Sequence, residues 1–154
     1  MGNLFKALAN NVNALETAAA VGTFLRGSSA IDLRRRESII LIVAHELRCS
    51  YIRTGHANLA SSLSMDPLSI VSNNADVEDA VGAEGAMALR YAPLLATGAR
   101  GRRHFVYELR TTVGDAGIIE LTILIGYYIM LTTVVHAVDL PLEDGALAIV
   151  FPEP

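Results

Sequence analysis

The chain of 154 residues is poor in several things at once: one cysteine, one lysine (Lys6), five prolines, and charged residues at only 18 %. A single cysteine excludes an intramolecular disulfide and fits a reducing, cytoplasmic setting. The net charge of −4 argues against nucleic acid as main partner, because such a footprint is normally basic. Strand-like alternation is missing too, as are repeats and low-complexity segments. The N-terminal stretch has no basic start followed by a long apolar core, so no signal peptide is expected, and Lys6 occupies the place where a myristoylation signal wants Ser or Thr. The uncharged run Leu121 to Val135, bracketed by Glu120 and His136, falls short of the roughly 20 residues that span a bilayer. A buried, interface-forming helix is expected there rather than a membrane span.

What the chain does hold is aliphatic: hydrophobic residues make up 52 %. One domain over residues 1–154 can bury about two-thirds of its extended surface. Few charges beside so much Ala, Ile, Leu and Val predict that subunits cover part of the surface, hence a homo-oligomer. Helical periodicity marks Phe5 to Arg26, then Leu33 to Leu47 behind the cap Asp32, then a helix from about Ser50, a possible cap, to Leu63. Ser64-Met65-Asp66-Pro67 starts a short helix through Val71 with proline at its first position. Ser72 to Gly85, acidic and with two glycines, is expected to be a mobile loop. A helix from Ala86 to Ala96 bends near Pro93, and Gly98 to Arg103 is a basic loop. His104 to Thr112 is helical or extended, and Gly114-Asp115 caps a helix from Ala116 to Val138. The tail from Asp139 is expected to wrap onto a neighbour. The fold class is all-α.

Residues with chemical potential concentrate between Arg34 and Ala60. Glu37, Ile40, Leu41 and Ala44 share one helical stripe, which sets a carboxylate among aliphatic side chains. An ionised group there is costly without a partner, and Tyr51, Arg53 and His56 are the candidates. Cys49 and His56, seven residues apart, share a face of a continuous helix. A buried carboxylate and an imidazole make a general acid/base pair, or else a purely structural staple. His45-Glu46-Leu47-Arg48-Cys49 approaches the zinc motif HExxH but has cysteine at the second histidine, so no metal site is expected. Glu120 either caps its helix or reaches the same pocket as a second carboxylate. Tyr127 and Tyr128 read as core or interface, and His136 as a helix C-terminal histidine.

Three stretches carry a resemblance to the carboxymuconolactone decarboxylase family, within the alkylhydroperoxidase-D-like superfamily. They are Leu33-Arg-Arg-Arg-Glu37-Ser-Ile-Ile-Leu41, Cys49-Ser-Tyr51-Ile-Arg53-Thr-Gly55-His56-Ala-Asn-Leu-Ala60, and Ile119-Glu120-Leu-Thr-Ile-Leu-Ile-Gly126-Tyr127-Tyr128. With Leu63-Ser64 and Leu140-Pro141-Leu-Glu143-Asp144 the likeness spans 33–144. It implies an all-helical fold around a helical hairpin, assembled as trimers or hexamers, with functional positions at Glu37, Cys49, Tyr51 and His56. Ile52 stands where the redox branch has its second cysteine, and Ile52 with Arg53 where the decarboxylase signature has Glu and Trp.

The function expected is a cofactor-free enzyme that decarboxylates, isomerises or cyclises a small carboxylated metabolite through an enol or enolate. His56 moves the proton, Glu37 orients it, Tyr51 donates to the oxyanion, and Arg53 grips a substrate carboxylate, with Glu120 as a further contact. The alternatives are a thiol redox protein using Cys49 alone and a non-catalytic oligomeric accessory protein.

Overall fold

The computed structural model describes residues 2–72, 75–98, 102–146 and 148–154, without the side chains of 75–80 and 102–104. Seven helices follow one another: α1 (Asn3–Leu8), α2 (Val12–Gly27), α3 (Leu33–Glu46), α4 (Ser50–Ser62), α5 (Pro67–Val71), α6 (Ala75–Ala96) and α7 (Arg102–Ala137). No strand occurs among the described residues.

The centre is α3. It packs against α4, α5, α6 and α7, and every residue from Glu37 to His45 is buried. Its sequence explains the position: the run Ile39-Ile40-Leu41-Ile42-Val43-Ala44 offers apolar surface on all sides, which only a helix surrounded by others can bury. Asp32 caps it as expected, accepting from the Arg35 amide at 3.1 Å. Arg48, with φ 53, reverses the chain, so that α3 and α4 form the hairpin. The first turn of α4 lacks the Ser50 cap expected of it: the capping position is Cys49, without a side-chain bond. Asp66 caps α5 ahead of Pro67, accepting from the amides of Leu68 and Ser69.

Three expected boundaries differ. Asn11 accepts from the Ala14 amide and starts a new helix, which splits the expected Phe5–Arg26 helix into α1 and α2. Most of the expected loop Ser72–Gly85 is helical from Ala75 onward, because its Ala and Glu are helix formers and only Gly82 (φ 69) interrupts the run. Residues 73 and 74 of that stretch, and 99–101 of the basic loop, lie outside the described residues. Gly114 (φ 71) does the same in α7, joining His104–Thr112, now seen as helix, to the long apolar helix behind it.

By length and composition, Phe105–Ala137 would suffice to cross a membrane, a property shared by core helices of soluble proteins. Its inner face, with Leu121, Leu124, Ile125, Leu131 and Val135, is buried in the core. Its outer face leaves Ile119, Ile123 and Met130 exposed.

Close approach between α2 and α7 depends on Gly22. Tyr127 donates to the Ala18 carbonyl at 2.9 Å, and a Cβ at position 22 would stand 2.9 Å from the Tyr127 hydroxyl and 3.2 Å from Arg26 Nη1. Alanine would gain about 1 kcal/mol of helix propensity. It would also wedge apart a pinned aromatic ring, at about 1–3 kcal/mol for overpacking. The clash should win: Gly22→Ala is expected to lower Tm by about 2–4 °C. A rise in Tm on thermal denaturation would show that Tyr127 yields without cost.

Candidate active site

The hairpin brings Glu37 and His56 together. His56 Nδ1 lies 2.6 Å from Glu37 Oε2, and the Glu37 side chain is 2 % exposed against 24 % for His56. On the other side, Arg36 Nε lies 3.5 Å from Glu37 Oε1, and Arg36 Nη1 donates to the Leu25 carbonyl at 2.9 Å. A carboxylate this buried costs several kcal/mol unless paired, and here an imidazole and a guanidinium share it. Nδ1 is the ring nitrogen placed to donate to Glu37, which leaves Nε2 as the nitrogen turned away from the carboxylate. Nε2 has no hydrogen-bond partner among the described residues.

The imidazole lines a cavity of about 440 Å³, between α4, α7, α1 and the C-terminal tail. An adjoining recess of about 110 Å³ reaches down to Glu37 and Arg36, with His56, Tyr127 and Tyr128 common to both. The walls are mainly apolar, with Leu4, Ile52, Leu59 and Leu131, so the few polar groups fix how a ligand would lie.

One of those polar groups was not among the site residues expected. The Tyr128 ring meets His56 edge-on, centroids 5.1 Å apart, and its hydroxyl has no hydrogen-bond partner among the described residues. Burial, and after it the nearby charge of Glu37, pushes its phenol well above the ordinary tyrosine range. The hydroxyl therefore stays protonated and remains a donor at neutral pH. A signal for it exists in the sequence: Leu121, Leu124 and Tyr128 fall at i, i+3 and i+7, which sets one polar tip on a buried stripe.

The structure places the other expected site residues elsewhere or in other roles. Tyr51 reaches the cavity, but its hydroxyl donates to Glu143 and accepts from the Leu4 amide at 3.1 Å. Glu143 Oε1 in turn accepts from the Asn3 amide at 2.7 Å. This knot ties α1 and the tail over the cavity. Burial, then the bond to Glu143, pushes the Tyr51 phenol up to about 12. The Tyr51 hydroxyl and the Asn3 amide hold the Glu143 carboxyl below its usual value. The donor assigned to an oxyanion is thus committed to a carboxylate. Through Leu142 and Glu143 the tail packs on its own chain.

Arg53 points away from the cavity. Its guanidinium lies 5.0 Å from the Phe151 ring centre, and Nη2 donates to Ser50 Oγ at 3.2 Å. Three residues along a helix is almost a full turn, but Arg53 and His56 differ by about 60° of phase, enough to aim them apart. Cys49 is 1 % exposed, packed in the core and outside the cavity lining. Glu120 accepts from Ser29 Oγ at 2.9 Å and the Ala30 amide at 2.8 Å, fastening the α2–α3 connection. It borders a separate cavity of about 170 Å³ between α3, α6 and α7. No group of three or more His, Cys, Asp or Glu that could hold a metal ion is found among the described residues.

No family model matches the sequence, and no curated protein does. The fold is similar to the solved structure of an uncharacterized peroxidase-related protein from Silicibacter sp. TM1040, with a TM-score of 0.79 and 23 % identity over 94 % of this chain and 78 % of that one. At that identity the likeness concerns the fold alone, an all-helical one.

Proposed function

We propose that the protein is a cofactor-free enzyme of the carboxymuconolactone decarboxylase type. It would decarboxylate, isomerise or cyclise a small carboxylated metabolite through an enol or enolate. The observation that carries this reading is the 2.6 Å contact of His56 Nδ1 with a buried carboxylate, on a ring that lines a cavity. Glu37 fixes the tautomer and stabilises the imidazolium that forms, as orienting carboxylates do. In an isomerisation, Nε2 takes the proton from the carbon beside a carbonyl and returns it at another carbon. In a decarboxylation, the C–C bond electrons pass into the enolate as carbon dioxide leaves, and the carbon takes its proton from His56 Nε2, which must first have taken one up from water. Either way negative charge grows on an oxygen, for which the Tyr128 hydroxyl is the unpartnered donor.

The neighbour's description as peroxidase-related favours a redox alternative. That route would run through Cys49 alone, and the burial of this sulfur outside the cavity weighs against it. The exposed Ile119, Ile123 and Met130 on α7 support an interface between copies of the chain; a trimer or hexamer acting in the cytoplasm is the form proposed.

The test is mass spectrometry of purified protein incubated with a panel of carboxylated lactones and β-keto acids. Loss of carbon dioxide, or an isomer formed only with protein, is expected. Silence across the panel, with no ligand raising Tm, would favour the accessory-protein reading instead.

A further inference from the structure

We infer that Arg26 is the anion anchor of the cavity, the residue that selects ligands bearing a carboxylate. It lines both the main cavity and the recess beside His56. Its position in the last turn of α2 would let it extend into water, where a cation at a helix C-terminus is ordinary. Instead the side chain folds back along the helix. A Cβ on Gly22 would stand 3.2 Å and 3.4 Å from its two terminal nitrogens, so a glycine one turn earlier makes room for the guanidinium.

The other cations near the site are occupied. Arg36 is held by Glu37 and the Leu25 carbonyl, Arg53 by Phe151 and Ser50, and Lys6 donates to Asn3 Oδ1 at 3.1 Å. Arg26 has no carboxylate or hydrogen-bond partner among the described residues. The one carboxylate on the main cavity wall, Glu143, is taken up by Tyr51 and the Asn3 amide. The cavity therefore presents one uncommitted full charge, and it is a planar fork suited to bidentate carboxylate binding. An acid seated there would lie with its apolar body along Leu59 and Leu131 and its reactive end toward His56 and Tyr128. The inference rests on the proposed use of this cavity, but it concerns binding rather than turnover.

The test is calorimetric titration with benzoate and hexanoate, each beside its neutral amide. The parent protein should bind each acid about tenfold or more tightly than the amide, the ratio expected of a charge-assisted pair. Arg26→Gln should bind acid and amide equally, Arg26→Lys should keep part of the preference, and His56→Ala should keep most of it. An unchanged preference in Arg26→Gln, or no preference in the parent, would overturn the assignment. Full turnover in His56→Ala alongside a lost preference in Arg26→Gln would instead sink the acid/base reading and leave the anchor standing.

Discussion

Replacing His56 with alanine is expected to lower turnover by about 100-fold or more. The group lost is the cavity's acid/base, and no other imidazole lines the cavity. The same change strips Glu37 of its 2.6 Å partner while leaving it 2 % exposed, with only Arg36 beside it at 3.5 Å. A buried charge that loses one partner costs about 3–5 kcal/mol, so the alanine variant should also be less stable. His56→Gln separates the two effects. Its amide N–H can still serve Glu37, so most of the stability should return, yet it supplies no base and turnover should stay low. Glu37→Gln should fall by a similar factor, because it leaves the imidazole without the charge that orients it. Rates measured beside thermal melts decide the matter. Turnover that recovers with stability in His56→Gln would reduce the pair to a structural staple.

Tyr128→Phe is the second large effect, and its signature is the reverse. The hydroxyl has no hydrogen-bond partner to lose among the described residues, so stability should change by no more than about 0.5 kcal/mol. If the phenol donates to a developing oxyanion, turnover should fall by about 100-fold or more, the usual result of deleting such a donor. Tyr51→Phe makes the natural control. It removes the bonds to Glu143 and the Leu4 amide and should loosen α1 and the tail, while leaving the donor beside His56 in place. A larger rate loss in Tyr51→Phe than in Tyr128→Phe would return the oxyanion role to Tyr51.

The contrast between those two tyrosines shows what could be read in advance. The Glu37 stripe and its pairing with a nearby residue follow from local helical geometry, since α3 and α4 are consecutive and a hairpin sets them side by side. His56 was among three candidates, and only packing chooses between them: Tyr51 finds Glu143, 92 positions away, and Arg53 finds Phe151. Partners that distant in sequence leave no periodic trace. The stripe of Leu121, Leu124 and Tyr128 marks a buried face but not what it meets; Arg26 and Tyr128 come from α2 and α7, brought together where Gly22 allows close approach. The acidic stretch before Gly85 was hidden differently. Its glycines suggested a loop, yet Gly82 needs only one residue at positive φ to join two helical segments, and the alanines and glutamates on either side propagate the helix.

The most direct measurement is nitrogen-15 NMR of histidine-labelled protein, with His56 assigned through His56→Gln. The expected spectrum shows a protonated Nδ1 in a strong hydrogen bond, an unprotonated Nε2, and a shift of the Nε2 signal when a carboxylate ligand fills the cavity. Glu37→Gln should weaken the Nδ1 signature and leave the other three histidines unchanged. A proton resident on Nε2, with Nδ1 bare toward the carboxylate, would contradict the pairing on which the acid/base reading stands.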